Sequence, residues 1–156
     1  ETKKHYYLIR PGEILRLTLT DHNENTGLIH RKIAEYDPYR HYWEKRIGNY
    51  LAWIWKKSWR KSAYEYFLSV EDILNAVKNT FDTSRPAQIR DRFEDALDRL
   101  NQDNIIKGWY YKNIDEEELQ KRGWYEKWLK TSLIILPADE LKKEYMKIRN
   151  KNKYIF

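Results

Sequence analysis

The sequence predicts an α+β fold that is mostly helical. Apolar residues recur at helical spacing in two long segments, from Tyr39 to Ala63 and from Arg85 to Leu100. Two later segments, Ile105 to Tyr111 and Trp124 to Pro137, are rich in the β-branched and aromatic residues that favour strands. A chain of 156 residues is long enough for one compact unit built from these elements.

The composition indicates a folded chain with a charged surface. Apolar residues make up 41% of it and aromatic residues 15%, which is too much burial potential for a disordered protein. The absence of cysteine excludes disulfides, thiolate chemistry and zinc sites that need sulfur. The net charge of +6 favours an anionic partner. We expect a cytoplasmic protein without a membrane contact, because no secretory signal is present and the longest nearly uncharged stretch is too short to span a bilayer.

The first 38 residues are expected to form an extension that packs on the core. Alternation between Tyr6 and Thr20 predicts a strand, and a short helical pattern then ends at Asp37 and Pro38. The chain starts at Glu1 without an initiator methionine, so we expect it to be part of a larger protein.

A central unit over residues 39–137 begins with two helices. The first is long, with a stripe of apolar side chains that consists of Trp43, Ile47, Tyr50 and Ile54. The second is shorter, and Ser69 with Asp72 predicts its N-terminal cap. Its inner residues are Val70, Ile73, Leu74 and Val77.

The third helix has the clearest sequence signals. It starts with the hydroxyl of Ser84 as a cap and Pro86 in the first turn, where a missing N–H costs nothing. One face is fully apolar and consists of Ile89, Phe93, Ala96, Leu97 and Leu100.

A long hairpin and a last helix complete the prediction. The first strand starts at Ile105, and Asp115 with Glu118 predicts a brief helix that ends at Gly123. The stretch from Trp124 to Pro137 is predicted to be the returning strand. Residues 138–156 are predicted to form a basic helix and tail, with an inner face of Leu141, Tyr145 and Ile148.

The order of these elements resembles the winged helix-turn-helix family over about two thirds of the chain. The segment that carries most of the resemblance is RPAQIRDRFEDALDRLNQDNIIKGWYY, from Arg85 to Tyr111. The chain also loosely resembles replication initiator proteins of plasmids and mobile elements. The winged-helix resemblance implies that the third helix enters the major groove of DNA and that the hairpin lies along the backbone.

Candidate DNA-binding residues follow from that resemblance and from side-chain chemistry, since Arg reads guanine and Gln reads adenine. On the third helix they are Arg85, Gln88, Arg90 and Arg92. Phosphate contacts are expected from Lys56, Lys57, Arg60, Lys107 and Lys112. The competing interpretation is a solvated helix face, in which Arg90 pairs with Glu94 and Asp95 with Arg99.

The sequence shows no enzyme motif, and we expect no catalysis, no cofactor and no metal. Five glycines leave little room for a phosphate-cradling loop, and the four histidines lack the spacing of metal ligands. The leading hypothesis is a duplex-DNA-binding module of a replication, partition or regulatory protein. The alternatives are a protein-interaction module, with a protein partner or a second copy, and single-stranded nucleic acid binding by stacking on Trp55, Trp59 and Trp109.

Overall fold

The computed structural model describes residues 28–58, 67–77, 84–112, 117 and 121–153, with side chains up to residue 147. Six helices and three strands lie within these ranges. The helices are α1 (Arg31–Glu35), α2 (Tyr42–Ser58), α3 (Val70–Val77), α4 (Pro86–Gln102), α5 (Trp124–Lys130) and α6 (Asp139–Lys153). The strands are β1 (Phe67–Ser69), β2 (Ile106–Lys112) and β3 (Ser132–Pro137). The fold is therefore α+β and mostly helical, as the sequence predicts.

The three strands form one antiparallel sheet in the order β1-β3-β2. Ile134 of β3 lies between Phe67 of β1 and Tyr110 of β2. Because alternate residues point to opposite faces, Leu133 and Ile135 point inward and are fully buried. We call β2 with β3 the ribbon, its Ile106/Pro137 end the basal end and its Lys112/Ser132 end the distal end.

Helix α4 packs on β2 and α3 contacts β1, while α2 packs against both of these helices. The five residues predicted as the inner face of α4 are all buried, as are the four predicted for α3. In α2 the most deeply buried stripe is Ile47, Leu51 and Trp55, whereas Trp43 and Ile54 are only half-buried. The buried face of α2 is therefore rotated by part of a helical turn from the predicted stripe.

The same core includes residues on both sides of the 39–137 segment. Ile33 of α1 and Leu141 and Tyr145 of α6 belong to the buried cluster. Helix α1 approaches α2 closely at Gly48, where an added Cβ would lie 2.9 Å from Ile33 Cδ1. One hydrophobic core thus includes residues from all six described helices. For α6 this holds for the side chains up to residue 147.

Capping explains where α3 and α4 begin. The Ser69 hydroxyl accepts from the backbone N–H of Asp72 at 3.0 Å, and the Asp72 carboxylate accepts from the Ser69 N–H at 3.4 Å, as predicted. Helix α4 starts at Pro86, and its N-cap is Arg85. The prediction of a Ser84 cap was therefore one residue early.

Two details of the sheet differ from prediction. The stretch from Trp124 was predicted as a strand, but Trp124–Lys130 is helix α5 and only Ser132–Pro137 is extended. The prediction was wrong because Trp124, Trp128 and Leu129 have helical spacing, which their strand propensity obscured. Strand β1 was not predicted, since three residues are too few to show alternation. The predicted strand over residues 6–20 and the predicted helix at Asp115 lie outside the described residues.

Candidate nucleic-acid interface

Helix α4 lies between α2 and the ribbon, so its polar residues divide into two sides. Arg90, Glu94 and Asp98 follow one another at four-residue spacing and face β2. Arg92 and Asp95 face the first turn of α2, where they line a cleft together with Trp43. The exposed residues on and between these sides form the outer surface of α4, which is the surface that a ligand of this helix would touch.

Hydrogen bonds fix the direction of the ribbon relative to α4. The Trp109 indole N–H donates to Asp98 at 2.8 Å, and the Tyr111 hydroxyl donates to Glu94 at 2.9 Å. Residues 109 and 111 of β2 thus lie opposite residues 98 and 94 of α4, so the strand and the helix run in opposite directions. The distal end of the ribbon therefore lies beside the N-terminal half of α4.

A polar network holds this arrangement in place. The Arg90 guanidinium pairs with Glu94 at 2.7 Å, and the buried Trp128 indole N–H donates to the Tyr111 hydroxyl at 2.8 Å. Burial disfavours the charged form of Arg90, but the hydrogen bond and charge of Glu94 outweigh burial and raise the pKa of Arg90. Burial raises the pKa of Tyr111, and the charge of Glu94 raises it further. We call these four residues, Arg90, Glu94, Tyr111 and Trp128, the bridging network.

The predicted residues of α4 therefore do not share one environment. Arg85, Gln88 and Arg92 are exposed at the N-terminal half. Arg90 belongs to the bridging network, and its side chain is only 31% exposed. The competing interpretation was thus right about the Arg90–Glu94 pair, although Arg99 is paired with Asp103 at 3.5 Å rather than with Asp95.

The two lysines predicted on β2 lie at opposite ends of the ribbon. Lys112 is at the distal end, and its ammonium lies 4.1 Å from the centre of the Phe67 ring. Lys107 is at the basal end, where it pairs with Asp139 at 2.9 Å and lowers the pKa of that carboxyl. Lys112 is level with the N-terminal half of α4 along the ribbon, but its ammonium lies over Phe67 on the outer face of the sheet, opposite the face on which α4 packs.

Further cations lie in the segment that joins the two strands at the distal end. Lys121, Arg122 and Lys130 are exposed, and none of them has an ion pair with another residue in the described part of the chain. Together with Lys112 they form what we call the distal cation group. Their charge is therefore available to an anion.

The phosphate contacts predicted near the end of α2 lie on a different element from α4 and the ribbon. Lys56 and Lys57 occupy the last turn of α2, and the Lys57 ammonium lies 3.6 Å from the centre of the Trp53 ring. Arg60 lies outside the described residues. Within the described ranges, neither lysine forms an ion pair with a side chain of α4 or of the ribbon.

Acidic side chains also occupy the outer surface of α4. Asp91 and Asp95 are exposed there, and Asp98 accepts the Trp109 N–H. The outer surface is thus mixed in charge rather than uniformly basic, and its cationic character is concentrated at Arg92 and at the distal end of the ribbon.

Sequence reasoning missed one cation beside α4. Arg40, in the turn before α2, lines the cleft that also contains Arg92. Asp37 holds this turn by accepting the backbone N–H groups of Tyr39 and Arg40, which lowers the pKa of Asp37. This juxtaposition could not be predicted from the sequence, because 52 positions separate Arg40 from Arg92.

The tryptophans proposed as stacking platforms are poorly placed for that role. Trp55 is only 4% exposed and belongs to the core. Trp109 is half-buried and stands edge-on to Tyr111 with its N–H bonded to Asp98. Trp59 lies outside the described residues.

The described histidines, aspartates and glutamates form no group of three or more that could hold a metal ion. No helix in the described part of the chain has the length and apolar character required to cross a bilayer. The chain matches no protein-family model, and comparison with curated proteins and with solved structures likewise finds no match.

Proposed function

We propose that this chain is a winged-helix module that binds duplex DNA with α4 and the distal end of the ribbon. The order of elements supports the proposal, because β1, α3, α4 and the ribbon follow one another and β3 lies between β1 and β2 in the sheet. In a winged helix this order presents one helix to the major groove and a hairpin to the backbone.

The observation that carries the proposal is that the distal end of the ribbon, where Lys112 lies, is level with the N-terminal half of α4. Base-reading side chains and phosphate-binding cations must reach one duplex together. The base-reading side chains are Gln88 and Arg92 on α4. The phosphate-binding cations are Lys112 and those of the segment that joins the two strands. The hydrogen bonds of Trp109 and Tyr111, which set the distal end of the ribbon level with the N-terminal half of α4, support this assignment.

The residues have different roles in this proposal. Gln88 and Arg92 contact base edges, and Arg85 contacts DNA at the start of α4. Arg90 acts indirectly, since its pairing with Glu94 positions β2 against α4. Lys107 has no part in the interface, because it lies at the basal end and pairs with Asp139.

The test is a titration of the whole chain with a fluorescently labelled duplex, followed by anisotropy at several salt concentrations. Affinity should fall steeply with added salt, because each neutralised phosphate releases counterions. Replacing the distal cations (Lys112→Ala, Lys121→Ala, Arg122→Ala) should lower the affinity and flatten the salt dependence.

The matched control is Lys143→Ala on α6, because α6 starts at the basal end of the ribbon and Lys143 is exposed. This variant changes the net charge by the same single unit as each distal variant and should bind like the parent chain. Absence of duplex binding at low salt, or an equal loss for Lys143→Ala, contradicts the proposal.

A second candidate function is self-association, which the outer face of the sheet favours. Phe67 and Tyr110 are 55% and 50% exposed on either side of Ile134. Exposed aromatic residues are enriched in protein interfaces. Sedimentation of the parent chain and of Phe67→Ser should show a dimer that the substitution weakens, and a parent chain that stays monomeric at high concentration excludes this function.

A further inference from the structure

A cleft of about 560 Å³ lies beside α4, on the side away from the ribbon. The turn before α2 and the first turn of α2 form one wall, and the middle of α4 forms the other. Arg40 and Tyr39 come from the first wall, and Arg92 comes from the second. The cleft thus adjoins the outer surface of α4 on which the proposed base contacts lie.

Both guanidinium groups of the cleft are available to a ligand. Neither Arg40 nor Arg92 forms an ion pair with another side chain in the described ranges. Asp37, the acidic residue nearest to Arg40 in the sequence, instead accepts two backbone N–H groups at 2.9 and 2.8 Å. Arginine binds phosphate oxygens through two parallel hydrogen bonds, so the unpaired Arg40 favours a phosphate ligand next to Arg92, which the proposed function assigns to base edges.

Tyr39 adds a neutral donor at the mouth of the cleft. Its side chain is 91% exposed, although the turn that carries it is fixed by Asp37. An exposed phenol on a fixed backbone is suited to donate to a phosphate oxygen. A phosphate that accepts from the Tyr39 hydroxyl would explain why this side chain lies in solvent rather than against apolar neighbours.

Two carboxylates limit what the cleft can hold. Glu44 and Asp95 line it together with the arginines. A ligand with several negative charges would meet these carboxylates, whereas a phosphodiester carries a single charge and can lie against the guanidinium groups alone.

We propose that this cleft binds the sugar–phosphate backbone of one DNA strand next to the base pairs that α4 contacts, with Arg40 and Tyr39 as phosphate ligands. This inference rests on the proposed duplex binding and adds a contact on the other side of α4 from the distal cation group. The helix would then be held by backbone contacts on both sides. Such contacts fix the register of a protein on a duplex without reading its sequence.

The test compares Arg40→Ala with Arg46→Ala by anisotropy, using two duplexes of unrelated sequence. Arg46 is the matched control, since it is an exposed arginine on α2, six positions after Arg40, but it lies over the Tyr42 ring and does not line the cleft. Arg40→Ala should weaken both duplexes by about fivefold. It should also reduce the slope of log affinity against log salt by about one, as expected for one lost phosphate contact.

A second variant and a competitor sharpen the result. Tyr39→Phe keeps the ring and removes the hydroxyl, so it should weaken both duplexes to a smaller extent without changing the salt slope. A dinucleoside monophosphate, which carries one phosphodiester, should compete only at concentrations far above the duplex, because it lacks the contacts of α4 and the ribbon.

The outcomes separate this inference from the proposed function. If the parent chain binds no duplex, the proposed function fails and the cleft proposal fails with it. If the parent chain binds but Arg40→Ala leaves affinity and salt slope unchanged, only the cleft proposal is overturned. An equal loss for Arg46→Ala, or dinucleoside monophosphate binding that depends on Arg40 while duplex binding does not, also overturns it.

Discussion

At the residue scale, the Tyr111 hydroxyl joins three elements. It donates to Glu94 of α4, accepts from Trp128 of α5 and belongs to β2. Trp128 is fully buried, so its N–H has no access to water if this acceptor is lost. A single oxygen atom therefore satisfies a buried donor and ties the ribbon to α4.

Replacing Tyr111 with Phe should destabilise the chain by about 1–3 kcal/mol, because it leaves a buried N–H unpaired. Denaturant unfolding followed by circular dichroism gives this value. Tyr110→Phe is the matched control, since Tyr110 is the adjacent residue on β2 and is half exposed. Equal stability of the two variants would show that the bridging network contributes nothing.

Asp91 offers a second test at this scale. It is exposed on the outer surface of α4 and opposes an approaching phosphate. Asp91→Asn should raise duplex affinity by about two- to fivefold, the range of one exposed charge interaction. Glu140→Gln on α6 is the control and should have no effect. A loss of affinity in Asp91→Asn would instead mean that this carboxylate accepts from a base.

At the element scale, α3 depends on its capping residue. The Ser69 hydroxyl satisfies the Asp72 N–H and also donates to the Asp72 carboxylate at 2.6 Å. Ser69→Ala should cost about 1 kcal/mol of stability, whereas Ser69→Thr keeps the hydroxyl and should cost much less. Thermal or denaturant unfolding measures both, and equal losses would contradict the capping role.

The entry into α5 depends on glycine. Gly123 has φ of +82°, a conformation that costs an L-residue about 1–2 kcal/mol. Gly123→Ala should be destabilising by about this amount even though the added Cβ meets no atom within 4 Å. Gly108→Ala is the control, because it also meets no atom and has no positive φ. The difference in unfolding free energy between the two variants isolates the backbone effect.

The helices α3 and α4 could be predicted closely, whereas the sheet could not. Ile89, Phe93 and Leu100 repeat over many turns, so their periodicity outweighs local noise. Strand β1 has one inward residue, Leu68, and gives no periodicity at all. In α5 the aromatic residues that suggest a strand instead fill the core from a helix. The ring centre of Trp128 lies 5.6 Å from that of Phe93. Tertiary packing therefore decided this element.

At the scale of the whole molecule, tyrosine burial predicts how stability responds to alkaline pH. Burial is the main cause that raises the phenol pKa above 10.0 in five tyrosines. They are Tyr36, Tyr50, Tyr111, Tyr125 and Tyr145. In the unfolded chain these phenols ionise near pH 10, earlier than in the folded chain. Their contribution is thus complete below pH 10 and is lost as the pH rises above it.

The free energy of unfolding should accordingly be insensitive to these groups between pH 7 and 9 and should fall above pH 10. Denaturant unfolding at stepwise pH measures this. Tyr36→Phe removes one of these phenols. The decline of the unfolding free energy with pH above pH 10 should then be shallower, by up to about the slope that one proton contributes. Tyr39→Phe, at an almost fully exposed position, should leave the slope unchanged. A decline that is identical in both variants would contradict the role of burial.

The candidate site could be predicted only in part, because it is assembled from distant segments. Gln88, Arg92 and Lys112 are readable as polar or basic residues at suitable positions, and the structure leaves them exposed. The pairing of Arg90 was visible as an alternative from its spacing to Glu94. Arg40, and the opposite placement of Lys107 and Lys112, depend on chain packing and strand register, which no local pattern encodes.

The bridging network has a consequence for the thermodynamics of association. Because Glu94, Tyr111 and Trp128 already lock the hairpin onto its neighbouring helix, little conformational entropy remains to be lost when a partner docks across both. Weakening that lock with Tyr111→Phe should therefore make association entropically costlier and slower to form, even though no atom of this phenol touches the partner.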